Sequence, residues 1–222
     1  MFLRNIFDIN ISENKISITK NIDLKVQDLE SQIGKLRYER ASNDKNNKVE
    51  NAKLPPFVQV FYYLFFSTFK VPDLETFWNT YVSWLGGENT LGQIEINSVT
   101  YSSSDIKNRL NRTYPSLIRD LHFLYLIEDS KLFTKVNYSL KKDYFNGLDL
   151  GIIHNNKEYY ISLMIDTQRS RYFKKRKTER HDYSIFNEIE FIVSFDSLTK
   201  KGDIYLLNQS HITLLLKLLN EN

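Results

Sequence analysis

The order of apolar and polar segments between residues 115 and 195 constrains the fold more than any other feature of the sequence. A wide apolar stripe that starts after Pro115 predicts a helix. Three strand-like runs follow it, at 131–140, 147–154 and 157–167. The Asn155-Asn156 pair between the last two runs favours a two-residue turn, because Asn tolerates positive φ. The sequence therefore predicts a helix followed by three strands.

The pattern changes after Asp166. Residues 168–181 are polar and basic and contain neither Gly nor Pro, which predicts a helix. Glu188–Phe195 is then rich in β-branched and aromatic residues and predicts a fourth strand. Residues 202–207 are a candidate fifth strand, and the amphipathic pattern of His211–Leu219 predicts a closing helix.

The first part of the chain has a different pattern. Residues 1–95 are predicted to form a mainly helical region, and residues 96–222 an α+β core. Pro115 favours the first turn of a new helix, separate from one that begins near Ser104. The other predicted elements are a hairpin in Asn5–Lys20, helices at Asp23–Arg40, Phe57–Phe69 and Leu74–Leu85, and an extended segment at Gln93–Ser102.

Composition excludes several classes of site. The chain has no cysteine, so it can form neither a disulfide nor a thiolate metal site. Its most apolar stretch, Phe57–Phe69, is shorter than the roughly 20 residues that a bilayer span needs, so it predicts a buried helix and no membrane partner. The N-terminal residues lack a signal-peptide pattern, and a cytoplasmic location is expected.

The net charge is only +3, but the positive charges are unevenly distributed. Seven of them fall within residues 168–181, where Glu179 is the only acid: Arg169, Arg171, Lys174, Lys175, Arg176, Lys177 and Arg180. Like charges four residues apart on a helix repel one another. A polyanion would relieve this repulsion through phosphate contacts and counterion release, so the segment predicts nucleic-acid binding. The alternative is a solvent-exposed surface helix without a partner.

The order helix, strand, strand, strand, helix, strand in residues 115–195 resembles the core of the PD-(D/E)xK nuclease superfamily. The resemblance covers about the last half of the chain. It implies a restriction-endonuclease-like αβββαβ core with a mixed sheet. It also implies an acidic residue on the first helix, an Asp at the second strand and a (D/E)-x-K tripeptide on the third. Carboxylates in such a site hold Mg²⁺, which prefers oxygen ligands.

The resemblance assigns candidate site residues to this sequence. Asp149 takes the place of the strand Asp, and Asp166-Thr167-Gln168 is a D-x-Q form of the tripeptide. Asp149 and Asp166 are then the expected Mg²⁺ ligands, Gln168 the variant third position and Asp120 the helix carboxylate. The tripeptide lacks its Lys, for which the candidates on the following helix are Lys174, Lys175 and Lys177.

Other interpretations of these residues stay open. In a second register, Ser162 and Met164 occupy the tripeptide, and neither side chain can serve as a carboxylate ligand. Asp149 is alternatively a buried, hydrogen-bonded Asp, and Asp166 an N-cap of the basic helix.

Three functions follow from the sequence. The first is a metal-dependent DNA endonuclease of the restriction or phage-defence kind, with a homodimer expected by analogy. The second is a non-catalytic DNA-binding accessory protein of a mobile element or replication system, favoured by the missing Lys. The third is a protein-interaction role in which the basic helix meets an acidic partner.

Overall fold

The computed structural model describes residues 8–10, 15–16, 24–39, 45–167, 170–171 and 186–221. Its helices are α1 (Val26–Lys35), α2 (Asn47–Glu50), α3 (Phe57–Thr68), α4 (Leu74–Trp84), α5 (Ser103–Ser130), α6 (Leu140–Asn146) and α7 (Gln209–Asn220). Its strands are β1 (Asp8–Asn10), β2 (Lys15–Ile16), β3 (Gln93–Ile96), β4 (Val99–Ser102), β5 (Lys135–Ser139), β6 (Leu150–His154), β7 (Lys157–Ile165), β8 (Glu188–Val193), β9 (Thr199–Lys201) and β10 (Ile204–Leu206).

The main sheet contains six of the described strands, in the order β2-β1-β5-β6-β7-β8. Neighbouring strands are antiparallel except β7 and β8, which are parallel. The predicted α+β class with a mixed sheet in the C-terminal half is therefore confirmed. Most of the helix predicted at 168–181 lies outside the described residues, which there include only Ser170 and Arg171.

Helix α5 runs without a break through Pro115, so the prediction of two separate helices was wrong. A proline inside a helix removes the N–H that would bond to the carbonyl four residues earlier, here that of Asn111. The Tyr38 hydroxyl donates to this carbonyl at 3.4 Å and so replaces the missing donor. The cap also differs, because the Ser102 hydroxyl, and not that of Ser104, accepts from the Asp105 N–H.

One hydrophobic core joins the regions on either side of residue 95. Helices α1, α3 and α4 pack against α5, and the Tyr62 and Tyr138 rings stack 4.2 Å apart between α3 and β5. Strand β1 also pairs with β5 in the main sheet. The expected boundary between residues 95 and 96 falls inside β3, within a hairpin whose two strands are paired.

Two short elements differ from the sequence-based expectation. The strand-like runs at 131–140 and 147–154 are separated by α6, which begins after the capping hydroxyl of Ser139 and ends at Gly147 with φ of 69°. A helix of seven residues is too short to show a clear apolar period. The candidate fifth strand, β10, pairs with β9 in a separate two-stranded sheet.

The second half of α5 packs against the sheet, where the Phe123 and Phe191 rings stack 5.5 Å apart. Helix α7 packs beside it against β8. Helix α5 also contacts the N-terminal helices and β10. As a result, the middle of α5 lies beside the edge of the sheet where β7 and β8 end.

The turn between β9 and β10 is fixed by a close approach to α1. Gly202 has φ of 59°, and a Cβ atom at this residue would lie 2.9 Å from the Gly34 carbonyl oxygen. Gly86 has φ of 94° but has open space around the corresponding position. Alanine substitutions at the two glycines therefore distinguish the cost of positive φ from the cost of crowding by the Gly34 carbonyl.

We expect Gly202→Ala to lower the free energy of unfolding by more than the roughly 1–3 kcal/mol that backbone strain alone costs. Gly86→Ala should remain within that range, because nothing crowds its Cβ. Urea denaturation of both variants measures the difference. Equal losses in the two variants would show that the contact with Gly34 is unimportant.

A polar cluster around buried His122 links α1, α5 and β9. His122 is 1% exposed, and its Nε2 lies 3.2 Å from one carboxylate oxygen of Glu30, whose other oxygen accepts from Lys201 Nζ at 3.2 Å. Burial lowers the pKa of His122, although Glu30 opposes the change. Burial acts to raise the pKa of Glu30, but its bonds to His122 and Lys201 leave that pKa below its ordinary value.

We expect the wild type to lose stability between about pH 7 and pH 5, and His122→Gln to lose less over the same interval. The unfolded chain protonates His122 near its ordinary pKa of about 6.5, whereas the folded chain takes up this proton only at lower pH. The depressed pKa of Glu30 acts only below about pH 4.5 and does not interfere. Urea midpoints at the two pH values measure the effect, and parallel losses in both proteins would contradict it.

Candidate active-site cleft

A cleft of about 430 Å³ opens between the middle of α5 and the ends of β7 and β8. Thr167, just before the basic segment, and Ser170, near its start, also line the cleft. Its other polar lining residues are Arg112, Thr113, Ser116, Arg119 and Asp120 from α5, and Asp149, Ser162 and Glu190 from the sheet. Asp120 and Asp149, two of the residues predicted from sequence, therefore lie in the same cleft.

The α5 residues of the cleft form a polar stripe. Their spacing of one, four, seven and eight residues from Arg112 places them on one face. The opposite face contains buried residues such as Leu110, Leu117 and Leu121. The prediction of a helix break at Pro115 hid this stripe, because it divided the five residues between two helices.

Two backbone interactions fix Asp149 at the start of β6. Its N–H donates to the Ile161 carbonyl at 2.9 Å, and its carboxylate accepts from the Leu163 N–H at 2.6 Å. Leu150 lies opposite Ile161, so the same register places Asp149 opposite Ser162. Ser162 and Met164 both line the cleft. The residues opposite Asp149 are therefore those of the second register, in which Ser162 and Met164 occupy the tripeptide.

Asp166 lies next to the cleft but is absent from its lining. Its carboxylate accepts from Arg171 Nε at 2.6 Å and Nη2 at 2.8 Å, which holds its pKa below the ordinary value. The Thr167 hydroxyl, and not the Asp166 carboxylate, accepts a hydrogen bond from the Ser170 N–H, at 3.1 Å. Asp149 and Asp166 are therefore not brought together, and Gln168 lies outside the described residues.

Glu190 is a cleft residue that the sequence did not reveal. The parallel register of β7 and β8 places Glu190 beside Ser162, while the Ser162 hydroxyl donates to Glu188. Glu188 and Glu190 alternate with buried apolar residues, which places both on the polar face of β8. This alternation was the available signal, but the pairing with β7 could not be read from it.

The cleft carboxylates act on buried groups nearby. Burial raises the pKa of Tyr62 well above its ordinary value, and the charges of Asp120, Asp143 and Asp149 raise it further. Burial lowers the pKa of Arg119, and neighbouring Asp120 opposes this effect. The cleft thus places half-buried carboxylates and a guanidinium in one lining.

The carboxylates of the cleft are all oxygen donors, which suits a hard cation such as Mg²⁺. Within the described residues, no three His, Cys, Asp or Glu side chains are close enough together to hold a metal without other ligands. Mg²⁺ usually keeps several waters and takes only one or two carboxylates. Asp120 and Asp149 from neighbouring elements therefore fit the chemistry of this ion.

The arginines at the start of α5 and those of the basic segment lie in different parts of the structure. Arg109 donates to the backbone of Val49 and Ala52, and Arg112 pairs with Glu50, so both hold α2 against α5. Arg171 is described and bonds to Asp166. The remaining predicted nucleic-acid contacts lie outside the described residues: Arg169, Lys174, Lys175, Arg176, Lys177 and Arg180.

No protein-family model, curated protein or solved structure matches this chain. The function must therefore be inferred from the cleft and the sequence themselves. None of the helices in the described ranges combines the length and apolar character of a membrane span.

We expect Asp149→Val to lower the free energy of unfolding by about 1–3 kcal/mol, because the Leu163 N–H loses its acceptor. Asp149→Asn should stay close to the wild type, since the amide oxygen can accept the same bond. Urea denaturation distinguishes the two. A loss in the Asn variant as large as that in the Val variant would mean that the negative charge itself supports the fold.

Proposed function

We propose that this protein is a metal-dependent nuclease that hydrolyses phosphodiester bonds in DNA, with the α5–sheet cleft as its active centre. The observation that carries the proposal is that Asp120 and Asp149 line one cleft. They come from α5 and from the start of β6, and two carboxylates from different elements are enough for Mg²⁺, which keeps several waters. The basic segment begins at the mouth of the same cleft, where it can bind the DNA backbone.

Asp149 and Asp120 would hold Mg²⁺ in this arrangement. The ion, when bound, supplies activation of water and neutralisation of charge on the phosphate. The Leu163 N–H orients the Asp149 carboxylate, so this ligand is positioned before any metal arrives. Glu190, at the register position on β8 beside Ser162, adds a negative charge to the lining of the cleft.

A second candidate is nucleic-acid binding without cleavage. Ser162 and Met164 occupy the tripeptide positions that face Asp149, and neither provides a carboxylate or an amine. This is the observation that favours the non-catalytic accessory role. The homodimer and the cytoplasmic location remain proposals that rest on the resemblance and on composition.

Cleavage of plasmid DNA tests the proposal. We expect the wild type to nick or cut plasmid in Mg²⁺ or Mn²⁺, and Asp149→Asn to reduce the rate at least about a hundredfold, which corresponds to about 2.7 kcal/mol. Asp166→Asn is the matched control. It also removes a carboxylate from the end of a strand, but one that is bonded to Arg171 outside the cleft.

The variants also separate the two candidates. Loss of cleavage in both variants would return Asp166 to the site, as in the register first expected from the sequence, whereas retention in Asp149→Asn would overturn the assignment of this cleft. Salt-sensitive DNA binding by a wild type that cuts with neither metal would favour the non-catalytic candidate. No binding and no cleavage would overturn both.

A further inference from the structure

We infer that Arg119 is the group that holds a non-bridging phosphate oxygen of nucleic acid in the cleft. This inference rests on the proposed function and assigns a phosphate-binding residue to its site. Arg119 lines the cleft on the same helical stripe as Asp120. The cleft would then receive the phosphate through the guanidinium and hold the cation through the adjacent carboxylates.

A hydrogen bond to the backbone fixes the orientation of the Arg119 side chain. Its Nε donates to the Tyr205 carbonyl of β10 at 3.0 Å, so the hairpin of β9 and β10 holds one edge of the guanidinium. Arginine carries four further N–H hydrogens on its two Nη atoms. No acceptor for these four hydrogens is found among the residues that the structure describes. A phosphate can accept two parallel hydrogen bonds from such a planar fork.

The other polar groups of the cleft are poorly placed to donate to an anion. The hydroxyls of Thr113 and Ser116 donate to the helix carbonyls of Arg109 and Thr113, at 3.0 and 2.7 Å. The guanidinium of Arg112 pairs with Glu50. Of these α5 groups, Arg119 therefore has the donors best placed for a phosphate.

Because the Arg119 guanidinium is largely buried, leaving it without a bound anion is energetically unfavourable. The Arg119 side chain is largely withdrawn from water, and a buried cation is unfavourable unless it is paired and hydrogen-bonded. Its neighbour Asp120 provides one opposing charge, and a single backbone carbonyl provides one hydrogen bond. An incoming phosphate would complete the coordination of the guanidinium.

Binding of a fluorescein-labelled DNA duplex, in EDTA so that no cleavage occurs, tests the inference with Arg119→Lys. This variant keeps the positive charge but removes the planar fork. We expect its affinity to fall about tenfold, while the dependence of log K on log salt between roughly 50 and 200 mM salt stays close to that of the wild type, because the charge is kept. Arg37→Lys, an exposed arginine outside the cleft, is the matched control and should bind as the wild type does.

A second variant keeps the inference testable if Arg119→Lys loses its contact with Tyr205 and fails to fold. Ser116→Asp leaves that contact in place and adds a negative charge to the cleft. It should weaken DNA binding at least about tenfold, because the added carboxylate competes for the guanidinium and repels phosphate. Ser104→Asp, in the exposed first turn of the same helix, is its control and should have little effect.

The outcomes distinguish this inference from the proposed function. Wild-type affinity in folded Arg119→Lys, or in Ser116→Asp, would overturn the role of Arg119 while leaving plasmid cleavage as the test of the nuclease. Absence of DNA binding by the wild type would overturn the inference as well as the proposed function. Weaker binding in the cleft variants with unchanged controls supports it.

Discussion

The continuity of α5 through Pro115 determines how the rest of the molecule is arranged. A proline at this position leaves the Asn111 carbonyl without its helical donor, and the Tyr38 hydroxyl from the segment after α1 supplies one. The helix can then extend from the β4 hairpin to the main sheet as one rod of 28 residues. It packs against both the N-terminal helices and the sheet, so both regions share one core.

The same continuity creates the cleft. If α5 were broken at Pro115, Arg112 and Thr113 would belong to a different helix from Arg119 and Asp120. In the continuous helix, all of them face the edge of the sheet at which Asp149 begins β6. Opposite charges thus meet across a narrow space: carboxylates from α5 and the sheet, and a guanidinium anchored by the hairpin of β9 and β10.

Strand pairing decided which residues meet Asp149. Its register with β7 places Ser162 opposite, and the parallel pairing of β7 with β8 adds Glu190 beside Ser162. Asp166, two turns of the pleat further along β7, instead bonds to Arg171. The two registers differ by four residues, a shift that moves a side chain by about 13 Å while keeping it on the same face. Alternation alone therefore could not distinguish the two registers.

The sequence by itself determined the elements whose signals are local. Apolar periodicity predicted the helix over 57–69 and the strands over 157–167 and 188–195, and turn residues predicted the hairpin at Asn155-Asn156. The resemblance also drew attention to Asp120 and Asp149, which line the same cleft. Only the tertiary structure decided that α5 is continuous, that Glu190 joins the cleft and that Asp166 does not. Those outcomes depend on a tyrosine more than 70 residues from its carbonyl partner and on pairing between distant strands, neither of which leaves a local pattern in the chain.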